Sequence, residues 1–120
     1  MKVQESLENY LEAILMLSQK QEFVRAIDIA TQLAISKPSV SIAMKNFKAK
    51  GYVAVGENGH ITLTDSGKRI AVSVYERHTL LTKWLISLGV EESIASQDAC
   101  RMEHIISEDT FQAIKNKGFK

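Results

Sequence analysis

The stretch Ala34-Ile35-Ser36-Lys37-Pro38-Ser39-Val40-Ser41 decides the fold of this 120-residue chain. Ser36 carries the short hydroxyl that caps a helix N-terminus. Pro38 falls inside the first turn, where the N–H that proline lacks would have no helical partner. The spacing therefore starts a helix here, with Val40, Met44 and Phe47 as its buried stripe and Gly51 as its stop. Upstream, Ile27, Ile29, Ala30 and Leu33 predict a short buried helix over 26–33, separated from the next by Ala34, Ile35 and Ser36 alone. Two helices joined by so tight a turn are a helix-turn-helix, whose second helix is built to enter the major groove of DNA.

The residue types on that second helix agree. Its outer face offers hydroxyls at Ser36, Ser39 and Ser41, which with the free N–H groups of a helix N-terminus bond phosphate oxygens, and which are small enough to let a helix sit deep in a groove. Lys37 and Lys45 add the salt-sensitive attraction to a polyanion. Net charge is only +1, but it is unevenly placed. Residues 1–35 carry three bases against five acids, whereas 36–50 carry Lys37, Lys45, Lys48 and Lys50 and no acid. A capped amphipathic helix with a solvated lysine face would explain the charges but not the turn before it or the hairpin after it. Pro38 and Arg25 complete the candidate DNA contacts of this region.

Beyond Gly51, Tyr52-Val53-Ala54-Val55 and His60-Ile61-Thr62-Leu63 are short β-rich runs around Gly56-Glu57-Asn58-Gly59, and Asn-Gly is a strong hairpin signal. A hairpin directly behind a recognition helix is a wing, whose tip reaches a phosphate or the minor groove; Asn58 and His60 are its polar candidates, with plain exposure the competing role for His60.

Three further regions flank this unit. Leu7, Tyr10, Leu11, Ile14, Leu15 and Leu17 mark a first helix, opposite whose buried side stand Glu5, Glu8, Asn9 and Glu12, a wet face or a cluster able to attract a cation. Thr64 or Asp65 caps a long helix with Ile70, Val74, Leu81, Leu85 and Leu88 buried, ending at Gly89. At about 24 residues it spans roughly 36 Å, so its second half requires a further packing surface. Glu91 and Glu92 open a fifth helix with Ile94, Ala95, Ala99 and Met102 on its apolar side, and Ser107 caps a sixth. Trp84, Leu88, Phe111, Ile114 and Phe119 exceed what so small a helical tail hides internally, which predicts a homodimer. The expected architecture is mainly α with one small β-hairpin, in two parts: a winged helix-turn-helix over 1–64 and a helical domain over 65–120.

Composition limits the alternatives. Hydrophobic content of 45% and charged content of 24% are those of a soluble globular chain, and no apolar run has the length of a membrane span. The acidic first ten residues hold no apolar signal segment, and one cysteine excludes an internal disulfide, so a cytoplasmic setting is expected. On a helix, Cys100, Glu103 and His104 share one face, bringing together a thiol, a carboxylate and an imidazole. Those are ligands for a borderline divalent metal. The same residues also fit a small buried cysteine beside a solvated Glu-His pair, and His78, between Val74 and Leu81, fits a hydrogen-bonded core histidine. Cys-x-x-Glu-His also approaches the spacing of some zinc hydrolases, but no separate base or substrate cleft accompanies it, so an enzyme is not expected. A metal-independent winged-helix regulator with Cys100 as a redox sensor is the remaining alternative.

Taken together, Glu8-Asn9-Tyr10-Leu11-Glu12, Asp28-Ile29-Ala30 with Ser36–Ser41, Arg77-His78 and Ala99-Cys100-Arg101-Met102-Glu103-His104-Ile105-Ile106-Ser107 resemble the diphtheria-toxin-repressor family over almost the whole chain. The resemblance implies a homodimeric, divalent-metal-activated repressor of metal-homeostasis genes that binds double-stranded operator DNA, with 65–120 as its metal-binding and dimerisation domain. It implies Cys100, Glu103, His104 and His78 as metal ligands and Glu12 as the carboxylate ligand of manganese-responsive members. Asn9 departs from the pattern: iron-type members have Met there and manganese-type members Asp, so Asn9 offers at most a carbonyl oxygen. Thr82 and Ser96 replace ancillary ligands of iron-type members, and no SH3-like third domain is expected. The implied site is a hybrid in which a thiolate favours Fe(II), with Mn(II) next because of its oxygens; Zn(II), Co(II) and Ni(II) are ions it would take in vitro.

Overall fold

A computed structural model describes the backbone of residues 3–118 and the side chains of 6–118. The Glu5 side chain and Phe119, both singled out above, lie outside the described residues. The chain divides into two compact units, 1–72 and 73–120.

In the first unit, α1 (Val3–Lys20), α2 (Ala26–Leu33) and α3 (Lys37–Ala49) precede the strands β1 (Val53–Val55) and β2 (Ile61–Leu63). Leu7, Tyr10, Leu11, Ile14, Leu15 and Leu17 of α1 are all buried, as their spacing requires, and with Ile29, Ala30, Val40, Met44, Phe47, Val53 and Ile61 they make the core. Tyr10 meets Phe47 edge-on at 5.5 Å between ring centroids, and its burial raises the phenol's pKa. Ile27 is a correction: it is 52% exposed. An eight-residue helix holds little more than two turns, and Ile29 with Ala30 alone provides its buried side.

The turn between α2 and α3 is closed by backbone bonds from Ala34 to Thr31 and from Ile35 to Ala30, with Ala34 in the left-handed region at φ 56°. Ser36 then caps α3, its hydroxyl accepting from the Ser39 N–H at 3.3 Å. The strands pair antiparallel with Ala54 opposite Thr62, and Gly59, at φ 77°, takes the conformation that makes Asn-Gly a turn signal. They are shorter than the β-rich runs. Tyr52 bonds Phe47 O and Thr64 N instead of the opposite strand, and His60 O accepts from Gly56 N to close the turn. The wing is tied to the loop before α2 by a bond from Ile61 N to Val24 O at 2.7 Å.

The long helix α4 (Asp65–Ser87) begins in the first unit, where Thr64 Oγ1 accepts from Gly67 N at 3.2 Å to cap it. A side chain at Gly67 has no room, since a Cβ would lie 2.1 Å from Tyr52 O. In the second unit the rest of α4 joins α5 (Glu92–Met102) and α6 (Glu108–Lys117). Val74, Leu81, Ala95, Ala99 and Phe111 are buried there. Two sequence expectations shift. Leu88 lies beyond the helix end and is 62% exposed, and Phe111 is inside the unit rather than on a partner-facing surface. Among the described residues of the second unit the exposed large apolar side chains are Ile86, Leu88, Ile94 and Ile105, of which Leu88 alone belongs to the set read as partner-facing.

Candidate metal centre and nucleic-acid face

Helix α5 stops one residue before the carboxylate predicted to lie on it. Glu103 is the C-cap, still in right-handed conformation, and His104 follows in a turn. The cap continues the helical path far enough to keep the i, i+3 relation, so the S, N and O donor atoms of Cys100, Glu103 and His104 fall within 4.8 Å of one another. Cys100 is exposed at the edge of this group, whereas the Glu103 and His104 side chains are 0% and 1% exposed.

The opposing wall comes from α4. His78 Nδ1 lies 3.0 Å from Glu103 Oε2, and His104 Nε2 lies 3.3 Å from Glu103 Oε1. The second contact is short enough for an ion pair but is not aligned as a hydrogen bond, so Glu103 Oε1 is buried without one. Such an oxygen incurs a desolvation cost of roughly 1–3 kcal/mol unless a cation or donor meets it. Cys100, Glu103 and His104 gather thiol, carboxylate and imidazole donors in one small volume that fits a divalent ion, and His78 meets the other oxygen of the same carboxylate.

Arg77, the residue before His78, has a role in the site that its place in the sequence does not show. Its guanidinium donates to the carbonyls of Glu103 (3.2 Å) and Ile106 (3.1 Å) and to the Glu108 carboxylate (2.7 Å), and lies 5.2 Å above the Phe111 ring. One cation thus holds the whole turn after α5 and the first turn of α6. The Glu108 carboxyl sits below its ordinary pKa, chiefly through the Gln112 amide and next through Arg77. Thr82 back-bonds to His78 O at 2.7 Å.

The remaining predicted ligands belong to α1. Glu12 is buried, and Asn9 lines a shallow pocket with Ser6, Tyr10, Leu33 and Ile35.

On the first unit, Lys37, Pro38, Ser39, Ser41 and Lys45 all stand exposed on α3, with Ser36 at its head. The Ser36 and Ser39 hydroxyls are 2.8 Å apart and bonded to each other, so they present one joined donor-acceptor pair at the helix start. Arg25, Asn58 and His60 form a cluster of their own. Arg25 Nε donates to Asn58 O at 3.3 Å, its Nη2 lies 3.1 Å from His60 Nε2, and Phe23 stacks on the His60 ring at 4.0 Å. The Arg25 N–H also bonds the Asp28 carboxylate at 2.8 Å, heading α2. Arg25 therefore braces the wing against the start of α2, a job its position alone did not reveal.

Two family models match the chain. A family model described as "Iron dependent repressor, N-terminal DNA binding domain" matches residues 2–61. A second, "Iron dependent repressor, metal binding and dimerisation domain", matches 64–117. The chain is 32% identical over 111 residues to the "Transcriptional regulator MntR" of Escherichia coli O157:H7, covering 92% of this chain and 72% of that protein. It is 31% identical over 109 residues to the "HTH-type transcriptional regulator MntR" of Bacillus subtilis (strain 168), covering 91% and 77%. A solved structure titled "Manganese-dependent transcriptional repressor complex with manganese" superposes with a TM-score of 0.85 at 29% identity over 95% of this chain. The chain spans about half, 53%, of that solved chain's length.

Proposed function

Because the chain belongs to the iron-dependent repressor family of metal-dependent transcriptional regulators, we propose that it is a homodimeric repressor whose operator binding is switched on by Mn(II) or Fe(II). The family is one of regulators rather than enzymes, which disposes of the hydrolase alternative. The observation that carries the metal reading is Glu103: a wholly buried carboxylate held between His78 and His104 with one oxygen lacking a hydrogen bond.

In this reading Cys100, Glu103 and His104 hold an ion and His78 is a ligand on the other side of the Glu103 carboxylate, either to the same ion or to a second one that Glu103 bridges, an alternative that metal titration saturating at one ion per subunit removes. Glu12 is proposed as a further ligand on the strength of the resemblance and its buried carboxylate. Asn9 is the least favoured donor, because it shares its pocket with Leu33 and Ile35. When bound, the ion supplies positive charge that offsets the burial of Glu103 and ties together segments that contribute ligands. The chain's own part is to hold those donors in place without it: Arg77 fixes the Glu103 carbonyl, and the α5 cap fixes the spacing to Cys100. An ion that binds only the ordered arrangement stabilises it by about 2.7 kcal/mol at a free concentration 100 times its dissociation constant, enough to bias an equilibrium between DNA-competent and looser forms.

Two features weigh on metal choice in opposite directions. The solved structure named above is titled as a manganese-dependent repressor in complex with manganese, which favours Mn(II). The Cys100 thiolate favours the softer Fe(II) and would also accept Zn(II), Co(II) or Ni(II). Residues 1–64 are proposed as the DNA-binding part, with Ser36, Lys37, Pro38, Ser39, Ser41 and Lys45 against the duplex and Arg25, Asn58 and His60 forming the wing contact. Residues 65–120 are proposed to bind metal and dimerise through the exposed Ile86, Leu88, Ile94 and Ile105 surface.

The test is duplex binding in a gel shift under anaerobic conditions, with the metal-free protein titrated separately with Mn(II), Fe(II), Zn(II) and Co(II). Metal-dependent retardation that chelator reverses is the expected result. Binding that is indifferent to chelator removes the switch and leaves a metal-independent winged-helix regulator.

A further inference from the structure

Across the centre of α3's outer face, where a solvated helix would carry a polar residue, stands an isoleucine. Val40, Met44 and Phe47 are the buried stripe. Ile42 falls almost opposite them on the helical wheel, between Pro38 and Lys45 and one turn before Asn46. It is 65% exposed, the largest exposure among the large apolar side chains of the first unit's described residues. Phe23, another exposed apolar side chain of this unit, is already stacked on His60. Ile42 instead borders an open groove with Tyr10, Ser39, Asn46 and Lys50.

An isoleucine here cannot serve the roles open to its neighbours. It has no donor for a phosphate and no acceptor for an amine, and leaving it in water gains nothing. The surrounding charge selects the partner: residues 36–50 hold four lysines and no acid, so the face is complementary to a polyanion. Against the floor of a DNA major groove, the apolar group available to an aliphatic side chain is the C5-methyl of thymine.

We propose that Ile42 is a sequence-specifying residue that reads a thymine in each operator half-site through its C5-methyl group. This rests on the DNA-binding reading above and adds to it a base identity and the residue that selects it. The hydroxyls and lysines around Ile42 set position and affinity, and Ile42 supplies discrimination between thymine and a pyrimidine without the methyl. Burying one methyl against Ile42 is worth about four-fold in affinity, and about fifteen-fold when both half-sites of a dimer lose it.

The test uses the full chain with Mn(II) to select duplexes from a random library. Each thymine of the selected sequence is then replaced in turn by deoxyuridine, which removes the methyl and leaves base pairing intact, and binding is measured by fluorescence anisotropy. For the natural chain, one thymine per half-site is expected to show the four-fold loss. Ile42→Ala, a change at an exposed side chain, is expected to bind thymine and deoxyuridine duplexes equally at that position. Lys45→Ala is expected to weaken both and keep their ratio. The inference is overturned if no position responds to methyl removal, or if the response persists undiminished in Ile42→Ala. A library from which the natural chain enriches no sequence would overturn the DNA-binding reading itself, and this inference with it.

Discussion

Replacing Glu103 by glutamine separates a carboxylate kept for a metal from one kept for the fold. The substitution preserves shape and removes the charge. The Glu103 side chain is wholly buried, with His78 at one oxygen and a misaligned His104 at the other. A glutamine side chain at this position retains an acceptor and gains a donor for those imidazoles, so the metal-free variant is expected to be at least as stable as the natural chain. Replacing an incompletely satisfied buried charge by a neutral group is commonly neutral or stabilising. With metal the order reverses. The natural chain gains about 2.7 kcal/mol at 100 times its dissociation constant, which for a chain of 120 residues raises Tm by roughly 11 °C at about 4 °C per kcal/mol. Glu103→Gln is expected to gain less than about 2 °C at the same Mn(II) concentration.

Calorimetry or dye-monitored melting with and without Mn(II) measures both quantities on the same samples. Two results would refute the reasoning. A variant that keeps the metal-induced rise shows that Glu103 is not a ligand. A metal-free variant destabilised by more than about 3 kcal/mol shows that the carboxylate is half of a structural ion pair with His78, the magnitude expected when one partner of a buried pair is removed.

Three other perturbations bear on parts of the same construction. Gly67→Ala places a Cβ 2.1 Å from the Tyr52 carbonyl oxygen, so the first turn of α4 must shift; a loss of about 1–3 kcal/mol or more is expected in urea unfolding. Glu108→Gln is expected to lower Tm at neutral pH by weakening the hold of Arg77. Because the Glu108 carboxyl lies below its ordinary value of 4.5 in the folded chain, its contribution is present above that value and fades as pH falls through the depressed one. The Tm difference between natural chain and variant should therefore be constant above about pH 5 and close towards acid. Lys37→Ala and Lys45→Ala should each reduce the slope of log K against log salt by about 1, with little change in base preference, in anisotropy titrations at several salt concentrations.

Helix boundaries set by local chemistry were legible in the residues. The 26–33 helix, the Ser36 cap and the Asn-Gly wing all rest on interactions within four residues, and the structure has α2 at Ala26–Leu33, Ser36 as N-cap and Gly59 at positive φ. The misplacements came where periodicity has too little length or has run out. On the short α2 the pattern admits more than one stripe, and Ile27 lies outside the real one. Leu88 and Glu103 each fall just past a helix end, where the wheel no longer dictates direction. Arg77 was beyond reach for another reason: its partners lie 26 to 31 positions away, and a charged residue beside a histidine looks like any solvated face. The grouping of Cys100, Glu103 and His104 survived the early end of α5 only because the cap residue keeps right-handed geometry.

That last point changes what the centre is made of. Three ligands on an uninterrupted helix would owe their spacing to the helix alone and would keep it in almost any surroundings. Here Glu103 and His104 stand on a cap and a turn, whose four-residue path is held from outside by Arg77 through the carbonyls of Glu103 and Ile106. Arg77 is in turn anchored by Glu108 and Phe111 of α6. The donor geometry therefore depends on the packing of α4 and α6 as well as on α5. Under the proposed ligand set, metal affinity reports the order of the whole second unit. A substitution on α6 that never touches the ion, such as Phe111→Ala, should weaken metal binding through the turn it supports, whereas one at the exposed Lys117 should leave it unchanged.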